Sequence, residues 1–354
     1  MRRFDAGVDR LFYSRHPLMQ GFYLLLVTGS VITFMLFGWQ YLPNEHAPPR
    51  HQYIYCAVVA FTYYSFISAC RSNPGILTPK NVDRANTLYD HDYILFSPKL
   101  CKTCLLDKPA RSKHCSLCKH CIAKADHHCA WLNTCVGHAN YPHFLRFLAA
   151  TQLLCLDTAY LCARLLQARA RSLRVWELVV RDPAMGGARR IEAWEAVLWL
   201  TQREAVLTAL GAFAALCALV VGAFMAYQVW TVGSGKTTNE VFKWEDLEFD
   251  LKHGEVHISS RTLRYNQEYG KPFARNEMRG GTLDRLQQEA RTGNATEGGA
   301  QIRQRQKKVN GSDAAKEEED VNIPFTTLNQ VRNIYDRGFL RNLWDTLFPE
   351  PLDE

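Results

Sequence analysis

The spacing of cysteines between residues 101 and 144 constrains this chain more than any other feature of its sequence. Seven of the twelve cysteines lie in this stretch. They begin with paired Cys-x2-Cys spacings and continue to the run Asp126-His127-His128-Cys129, with Cys135 beyond it. A Cys-x2-Cys pair aims two thiolates at one ion from a single tight turn, as tetrahedral zinc requires. The stretch therefore predicts a loop that bound zinc holds rigid.

A ligand count indicates that one cysteine is spared. Two closed zinc sites need eight protein ligands, which six cysteines and two histidines would supply. The candidate for the remaining cysteine is Cys129, because it follows Asp126, His127 and His128. A base beside a thiol, with a carboxylate to orient that base, is the arrangement that produces a reactive thiolate. We therefore expect Cys129 to be a free nucleophile inside a loop held by structural zinc.

The whole 101–144 stretch resembles the cysteine-rich domain of the DHHC-type protein S-acyltransferases, or palmitoyltransferases. The resemblance implies two structural zinc ions whose ligand sets interleave, so that neither site could form without the loop of the other. It also implies that His120, His127 and His138 are not ligands. By the family pattern, one zinc ion would be held by Cys101, Cys104, His114 and Cys121, and the other by Cys115, Cys118, His128 and Cys135.

Four apolar runs of membrane-spanning length flank this domain. Residues 21–42 and 52–70 carry no charge, and at 1.5 Å per residue each matches a hydrocarbon core of about 30 Å. Residues 144–166 form a weaker run, and residues 205–232 form an uncharged run rich in Ala and Gly, which lets helices approach closely. Buried helices of a soluble domain are the alternative. We predict instead an all-α polytopic membrane protein, with four transmembrane helices (TM1 to TM4) and a cytosolic two-zinc cysteine-rich domain between the second and third.

Redox chemistry and charge both bear on the topology. Zinc thiolates need a reducing compartment, so the 71–143 loop is expected in the cytosol, together with the N-terminus (1–20) and the C-terminal tail (233–354). Ten Lys or Arg in the 71–143 loop, against one in the 43–51 loop, agree with that orientation. The lumenal loop at 167–204 disagrees, because it contains seven arginines. We interpret its WELVV and IEAWEAVLWL stretches as amphipathic helices on the membrane surface.

Polar residues in and after the spans carry further expectations. Asp157, near the middle of the third run, is costly in lipid and should face the bundle interior. Asn73-Pro74-Gly75 stands where the family carries Asp-Pro-Gly, although a simple helix stop explains it equally well. Thr237-Thr238-Asn239-Glu240 (TTxE, 237–240) matches the family's Thr-Thr-x-Glu motif directly after the fourth run. The resemblance implies that Thr237, the first threonine, hydrogen-bonds Asp126.

The C-terminal tail divides into two parts. Residues 270–320 are rich in Gly, Gln, Arg and Glu, with few large apolar side chains, which predicts a disordered linker. Residues 333–348 contain aromatic side chains again and resemble the family's C-terminal aromatic motif, with Tyr335, Gly338 and Asn342 in the pattern. A short amphipathic helix is the alternative. We favour a docking role, in which Asn342 caps helix ends near the membrane.

The function that the resemblance implies is protein-cysteine S-palmitoylation by a ping-pong mechanism. Cys129 would attack the thioester of palmitoyl-CoA, the acyl-CoA co-substrate, with His127 as general base and Asp126 holding its tautomer. A cysteine of a protein substrate would then take the acyl group. The phosphates of CoA would meet basic side chains, for which a solvated basic face is the alternative. Those side chains are Arg111, Lys113, Lys119 and Lys124.

The expected partners are the lipid bilayer and membrane-associated proteins with juxtamembrane cysteines. A net charge of +7 suits an anionic membrane surface and is too weak to indicate nucleic acid. The TTNE motif, the variable tail and the IYDRG segment resemble the fungal branch that acylates SNARE proteins. This narrower resemblance implies the endoplasmic reticulum membrane, with the Golgi as second choice.

Two alternative functions belong to other classes. A membrane-anchored zinc-finger interaction module, of the RING or LIM kind, explains the ligand spacing but not Cys129 beside Asp126 and His127. A pseudoenzyme that acts as a chaperone for transmembrane segments would share the whole fold. Turnover of a substrate peptide separates that pseudoenzyme from an enzyme.

Overall fold

The computed structural model describes residues 17–181, 186–254, 256–268, 322–325 and 327–352. These residues fall into two compact units. The first unit contains residues up to Pro74 together with residues 128–230, and the second contains residues 75–127 together with those from Thr231 onward. The predicted disordered linker at 270–320 and the first sixteen residues lie outside the described residues.

Four long helices confirm the predicted candidate transmembrane segments. All four are long and apolar enough to cross a membrane, and between 17% and 39% of the residues in the apolar window of each are buried. The third helix starts earlier and ends later than predicted, because Pro142 is tolerated in its first turn and the helix continues past the apolar run into a last turn that carries Arg169 and Arg171. The helices are α1 (Leu18–Phe37), α2 (Arg50–Arg71), α4 (Tyr141–Ser172) and α6 (Ala205–Gly233).

Polar contacts and small residues hold the helices of the first unit together. Tyr23 Oη lies 2.9 Å from Thr151 Oγ1, and Tyr141 Oη donates to Gln228 Oε1 at 2.7 Å. An added Cβ at Gly211 would lie 2.8 Å from the Cβ of Cys162, so α6 approaches α4 as closely as its small residues predict. Such hydrogen bonds and close packing replace the hydrophobic effect where lipid surrounds the helices.

Asp157 is placed on α4 as the sequence predicts. Its Oδ2 atom is buried and has no hydrogen-bond partner within the described part of the chain. The carboxylate therefore faces protein rather than lipid, which is where an intramembrane acid is least costly.

The segment between α4 and α6 corrects one prediction. The WELVV stretch is not a helix: it forms a 3-10 turn and the strand β7 (Val179–Arg181), which pairs antiparallel with β8 (Ala188–Arg190). Its adjacent valines favour an extended backbone. The IEAWEAVLWL stretch does form a helix, α5 (Ala193–Arg203), which begins with a capping box between Glu192 and Glu195.

Ion pairs within the segment involve two of the seven arginines that disagreed with a lumenal position. Arg169 donates to Glu204 at 2.8 Å, and Arg189 donates to both oxygens of Glu195 at 2.8 and 2.7 Å. The charges of these two arginines are balanced within the segment, so a raw count of its basic residues overstates its net charge.

The second unit is built from short hairpins and helices around small hydrophobic clusters. One cluster includes Leu77, Ala85 and Leu352, and another includes Leu251, Ile258 and Phe325. The hairpins and helices of the second unit are β1 (Leu100–Cys101), β2 (Leu106–Asp107), β3 (Lys113–Cys115), β4 (His120–Ile122), β9 (His257–Ser259), β10 (Asn322–Pro324), α3 (Val82–Leu88), α7 (Thr238–Lys252), α8 (Ser260–Gln267) and α9 (Phe339–Leu347). A further hairpin, of which all but His127 belongs to the first unit, is formed by β5 (His127–Cys129) and β6 (Thr134–Val136).

The tail ends in a helix whose asparagine caps α6, as predicted. The buried amide of Asn342, on α9, donates to the carbonyl of Gly233 at 2.8 Å and to Asp336 Oδ1 at 2.7 Å. Its Oδ1 accepts the backbone N–H of Arg337 at 2.9 Å. Gly338, between them, has φ +95°, a conformation that disfavours any side chain. One amide thus closes the end of α6 and shapes the turn that leads into α9.

Replacing Asn342 should destabilise the folded chain measurably. Asn342→Ala leaves the Gly233 carbonyl and the Arg337 amide without this partner, which should cost about 1–3 kcal/mol. Thermal unfolding of the detergent-solubilised protein measures the change. Arg341→Ala is the matched control, since Arg341 pairs with Asp345 at the surface and should contribute little. Equal midpoints for the two variants would contradict the capping role.

Candidate active site and metal centres

Two cysteine turns in the stretch share one geometry. In each, the amide of the second cysteine lies against the sulfur of the first: Cys104 N is 3.4 Å from Cys101 Sγ, and Cys118 N is 3.3 Å from Cys115 Sγ. The residue after each pair donates its amide to the carbonyl of the first cysteine at 2.8 Å and has a positive φ, +54° or +63°. These residues are Leu105 and Lys119. Amides aimed at sulfur stabilise thiolates, so both turns are prepared for metal.

The first predicted ligand set comes together in the structure. The Nδ1 atom of His114 lies 3.6, 3.3 and 3.7 Å from the sulfurs of Cys101, Cys104 and Cys121. Strands β3 and β4 bring His114 opposite Cys121. Tetrahedral zinc, with bonds of about 2.3 Å to sulfur and 2.0–2.1 Å to nitrogen, would place these atoms about 3.6 Å apart. The donor set and its spacing therefore fit a zinc ion.

The second predicted set has the same composition. Its sulfur-to-nitrogen separation, from Cys135 Sγ to His128 Nδ1, is 3.7 Å. In both sets the four ligand atoms lie within 4.8 Å of one another, so the described residues contain two Cys/His clusters that can bind metal ions. Cys129 belongs to neither set and is buried. The members of the second set are Cys115, Cys118, His128 and Cys135.

The Asp126 carboxylate and the His127 imidazole, which the sequence analysis pairs as carboxylate and base, lie in contact. His127 Nδ1 lies 2.6 Å from Asp126 Oδ2, and the Asp126 side chain is fully buried while His127 is partly exposed. The contact fixes the tautomer with a proton on Nδ1, which makes Nε2 the basic nitrogen. Backbone and side-chain donors from α7 complete the shell of the carboxylate.

The threonine that meets Asp126 is not the one predicted. Thr238 donates its amide to Asp126 Oδ1 at 2.7 Å and its hydroxyl to Oδ2 at 2.9 Å. Thr237 is instead the N-cap of α7: its hydroxyl accepts from Glu240 N at 3.3 Å, and its own amide donates to Glu240 Oε2 at 2.9 Å. This reciprocal capping box occupies Thr237, so the next residue reaches the carboxylate.

A buried ion pair that the sequence did not reveal locks the same region. Arg111 donates two N–H groups to the two oxygens of Glu240, both at 2.6 Å, and a further one to the Gly235 carbonyl at 3.0 Å. The ring of Tyr335 stacks on its guanidinium at 4.6 Å. Burial alone would lower the pKa of Arg111, but the Glu240 carboxylate raises it above its ordinary value. The signal available in the sequence was Glu240 itself, since a buried carboxylate needs a cation.

The basic side chains expected to meet CoA phosphates are mostly engaged within the protein. Arg111 is held by Glu240, Lys113 donates to Asn239 Oδ1 at 2.9 Å, and Lys124 donates to Thr346 Oγ1 at 2.9 Å. Burial also lowers the pKa of Lys124 to about 7. The fourth, Lys119, is exposed. Three of the four side chains therefore have partners within the protein, and Lys113 and Lys119 are also exposed to solvent.

The hairpin that carries Cys129 contacts the start of α1. Gln20, in the first turn of α1, donates to the carbonyl of Leu132 at 3.0 Å, and Phe22 stacks on Trp131 at 6.2 Å between ring centroids. Leu132 and Trp131 belong to the turn between β5 and β6. These contacts lie within the first unit and place the Cys129 hairpin at one end of the apolar helices. No sequence signal singled out Gln20.

Comparison with known proteins adds a family match and several relatives. Residues 94–245 match the family model described as DHHC palmitoyltransferase. The chain is 28% identical to palmitoyltransferase swf1 of Schizosaccharomyces pombe over 345 residues, which cover 96% of this chain and 78% of that protein. It is 27% identical to palmitoyltransferase ZDHHC4 of Rattus norvegicus over 251 residues, covering 68% of this chain and 71% of that protein. With palmitoyltransferase SWF1 of Saccharomyces cerevisiae it shares 33% identity over 172 residues, 48% of this chain and 41% of that protein.

Breaking the buried ion pair should be among the most destabilising single changes outside the metal sites. Glu240→Gln leaves the Arg111 charge uncompensated, which should cost about 3–5 kcal/mol. Glu248→Gln removes the same charge from an exposed position of α7 and should be nearly neutral. Thermal unfolding compares the two, and Arg111→Met/Glu240→Met should recover part of the loss. If Glu240→Gln unfolds at the same temperature as Glu248→Gln, the pair does not hold this region.

Metal analysis of the purified full chain should find two zinc equivalents. Cys104→Ser and Cys118→Ser each remove a ligand from one of the two sets and should lower the zinc content. Cys129→Ala removes no ligand and should keep two equivalents. Elemental mass spectrometry of the three variants provides the measurement. Loss of zinc in Cys129→Ala would show that its sulfur is a ligand, against this assignment.

Proposed function

We propose that this chain, a member of the DHHC palmitoyltransferase family, is a protein-cysteine S-palmitoyltransferase that carries the acyl group on Cys129. The observation that carries the proposal is the division of the cysteines: six belong to two metal-binding sets, and Cys129 belongs to neither. The Asp126–His127 pair immediately precedes it. A zinc module that only binds partners would need neither a spared thiol nor an oriented base, and the family match does not favour that alternative.

The first step loads the enzyme. An ordinary cysteine thiol, with a pKa of about 8.5, is mostly protonated at neutral pH, so it needs a base. We assign that role to His127, whose Nε2 takes the thiol proton while Asp126 holds the ring through Nδ1. The Cys129 thiolate attacks the thioester carbon of palmitoyl-CoA, the bond from that carbon to the CoA sulfur breaks, and CoA leaves as a thiol after taking the proton. One thioester replaces another, so no ATP is required.

The second step transfers the group to a protein. The thiol of a substrate cysteine gives its proton to His127 and attacks the acyl carbon on Cys129. The Cys129 thiolate leaves and takes back the proton, which regenerates the enzyme. The metal ions, when bound to their two cysteine and histidine sets, supply structural rigidity to the loops that carry these residues.

The position of the hairpin suits an acyl chain of low solubility. Each CH2 group of that chain is worth about 0.8 kcal/mol when it is buried in an apolar environment. The Cys129 hairpin contacts the first turn of α1 through Gln20 and Phe22. We propose that the acyl chain enters among the apolar helices while its carbonyl stays at their end. Zinc thiolates persist in a reducing compartment, which favours the cytosolic face.

The substrates and the location follow from the narrower resemblance. We propose membrane proteins with cysteines near the cytosolic ends of their transmembrane segments, such as SNARE proteins. The relatives named palmitoyltransferase swf1 support the acyl-transfer activity, and the choice of substrates rests on the TTNE and IYDRG segments of the sequence. The proposed location is the endoplasmic reticulum membrane, with the Golgi as second choice.

Labelling with an alkyne analogue of palmitoyl-CoA tests the acyl-enzyme directly. The normal chain should gain a label that hydroxylamine removes, as a thioester requires, and Cys129→Ala should gain none. Cys56→Ser is the matched control, because this exposed cysteine lies on α2 and should not affect labelling. A label of normal strength on folded, zinc-loaded Cys129→Ala would refute Cys129 as the carrier.

A further inference from the structure

Helix α7 has one face that packs and another that does not. On the packed face, Glu240 holds Arg111, and Leu247 and Leu251 join a hydrophobic cluster with Ile258. A helix of 15 residues with one face fixed in this way presents its opposite face in a defined direction. That opposite face plays no part in the proposed reaction.

The outward face is an acidic and aromatic stripe. Phe242, Glu245, Asp246 and Phe249 follow one another at i, i+3, i+4 and i+7, which places them side by side on the helix surface. All four are exposed, the two phenylalanines by 60% and 61%. Within the described residues neither Glu245 nor Asp246 forms an ion pair, whereas Glu248, off the stripe, pairs with Lys252 at 2.9 Å. We call these four residues the acidic–aromatic stripe.

The stripe starts beside the reaction centre. Thr238, the first residue of α7, contacts Asp126 through its amide and its hydroxyl. Phe242 lies about one turn further along, and Phe249 lies about 16 Å from Thr238 at 1.5 Å per residue. A polypeptide that delivers a cysteine to the reaction centre could therefore lie along the stripe with its flanking residues.

The chemistry of the stripe selects its partner. Glu245 and Asp246 lie between the two phenylalanines, so inserting the aromatic rings into a membrane would bring both carboxylates to its surface. An anionic lipid surface repels these carboxylates. Lysine and arginine side chains complement both parts of the stripe, because the carboxylates attract their positive charge and the aromatic faces bind cations. The cytosolic flanks of transmembrane segments are enriched in these two residues. Exposed aromatic side chains beside charges are also typical of a protein-binding surface.

We propose that the acidic–aromatic stripe binds the Lys- and Arg-rich cytosolic segment that flanks the acceptor cysteine of a membrane-protein substrate. This inference rests on the proposed function and adds a substrate-binding surface to it. The stripe selects acceptors by charge and leaves the loading of Cys129 from palmitoyl-CoA unaffected.

The test uses the full chain in detergent and two synthetic acceptor peptides. Each peptide has one cysteine, flanked in one by four lysines and in the other by four glutamines. Palmitoyl transfer gives KM and kcat, and fluorescence anisotropy of the labelled peptides gives binding without turnover. Loading of Cys129 with palmitate is measured separately, without peptide. A chain that never loads contradicts the proposed function. The anisotropy measurement does not require loading, so it still tests whether the stripe binds the lysine peptide.

The expected result is a charge-dependent KM that responds to one face of α7. The lysine peptide should bind more tightly than the glutamine peptide at low salt. Glu245→Lys should raise its KM and weaken its binding about 3- to 10-fold, with loading and the glutamine peptide unchanged. Glu248→Lys makes the same change of charge off the stripe and should have little effect.

Two results would overturn the proposal. One is equal binding of the two peptides by the normal chain. The other is an equal loss of lysine-peptide binding in Glu245→Lys and Glu248→Lys, which would mean that general charge rather than the stripe attracts the peptide. Phe242→Ala/Phe249→Ala tests the aromatic part, and it should weaken binding of the lysine peptide even at high salt, where carboxylates alone are screened.

Discussion

Two Cys/His sets that can hold metal ions are the constraint on which the cysteine-rich stretch depends. Strands of two or three residues, such as β1 and β3, cannot form a stable sheet by themselves. Their hairpins instead place sulfur and imidazole donors at the separations that a tetrahedral ion requires, as His114 shows. If each set binds an ion, six of the sulfurs are ligands, and the seventh, on Cys129, belongs to neither set.

A second set of contacts converts that rigid loop into a site. Asp126 is held by the amide and the hydroxyl of Thr238, and it in turn orients His127. The bidentate pair of Arg111 and Glu240 fixes the first turn of α7, the turn that also carries Thr238. The proposed base therefore depends on residues more than a hundred positions away in the chain, which explains how a four-residue motif after the last long helix contacts the same carboxylate.

Local patterns predicted much of this, and tertiary contacts decided the rest. Length and hydropathy located four long helices, and the paired Cys-x2-Cys spacing indicated metal binding, because both follow from rules of short range. The division of the ligands into two sets came from resemblance to a family. The same rules could not show that Thr238 rather than Thr237 meets Asp126, since the capping box competes for one threonine. They also could not show that Lys124 points inward to Thr346, or that WELVV prefers a hairpin, because these outcomes depend on what packs nearby. The role of Asn342 was predictable only through resemblance to a family.

The central claim is that metal binding and acyl transfer use different sulfurs of one small domain. Native mass spectrometry of the full chain after incubation with palmitoyl-CoA tests this claim most directly, since it weighs metal and acyl group on the same molecule. The account predicts a species that carries two zinc ions and one palmitoyl group together. Acylation confined to molecules that have lost a zinc ion would contradict it, because the reacting sulfur would then be a ligand.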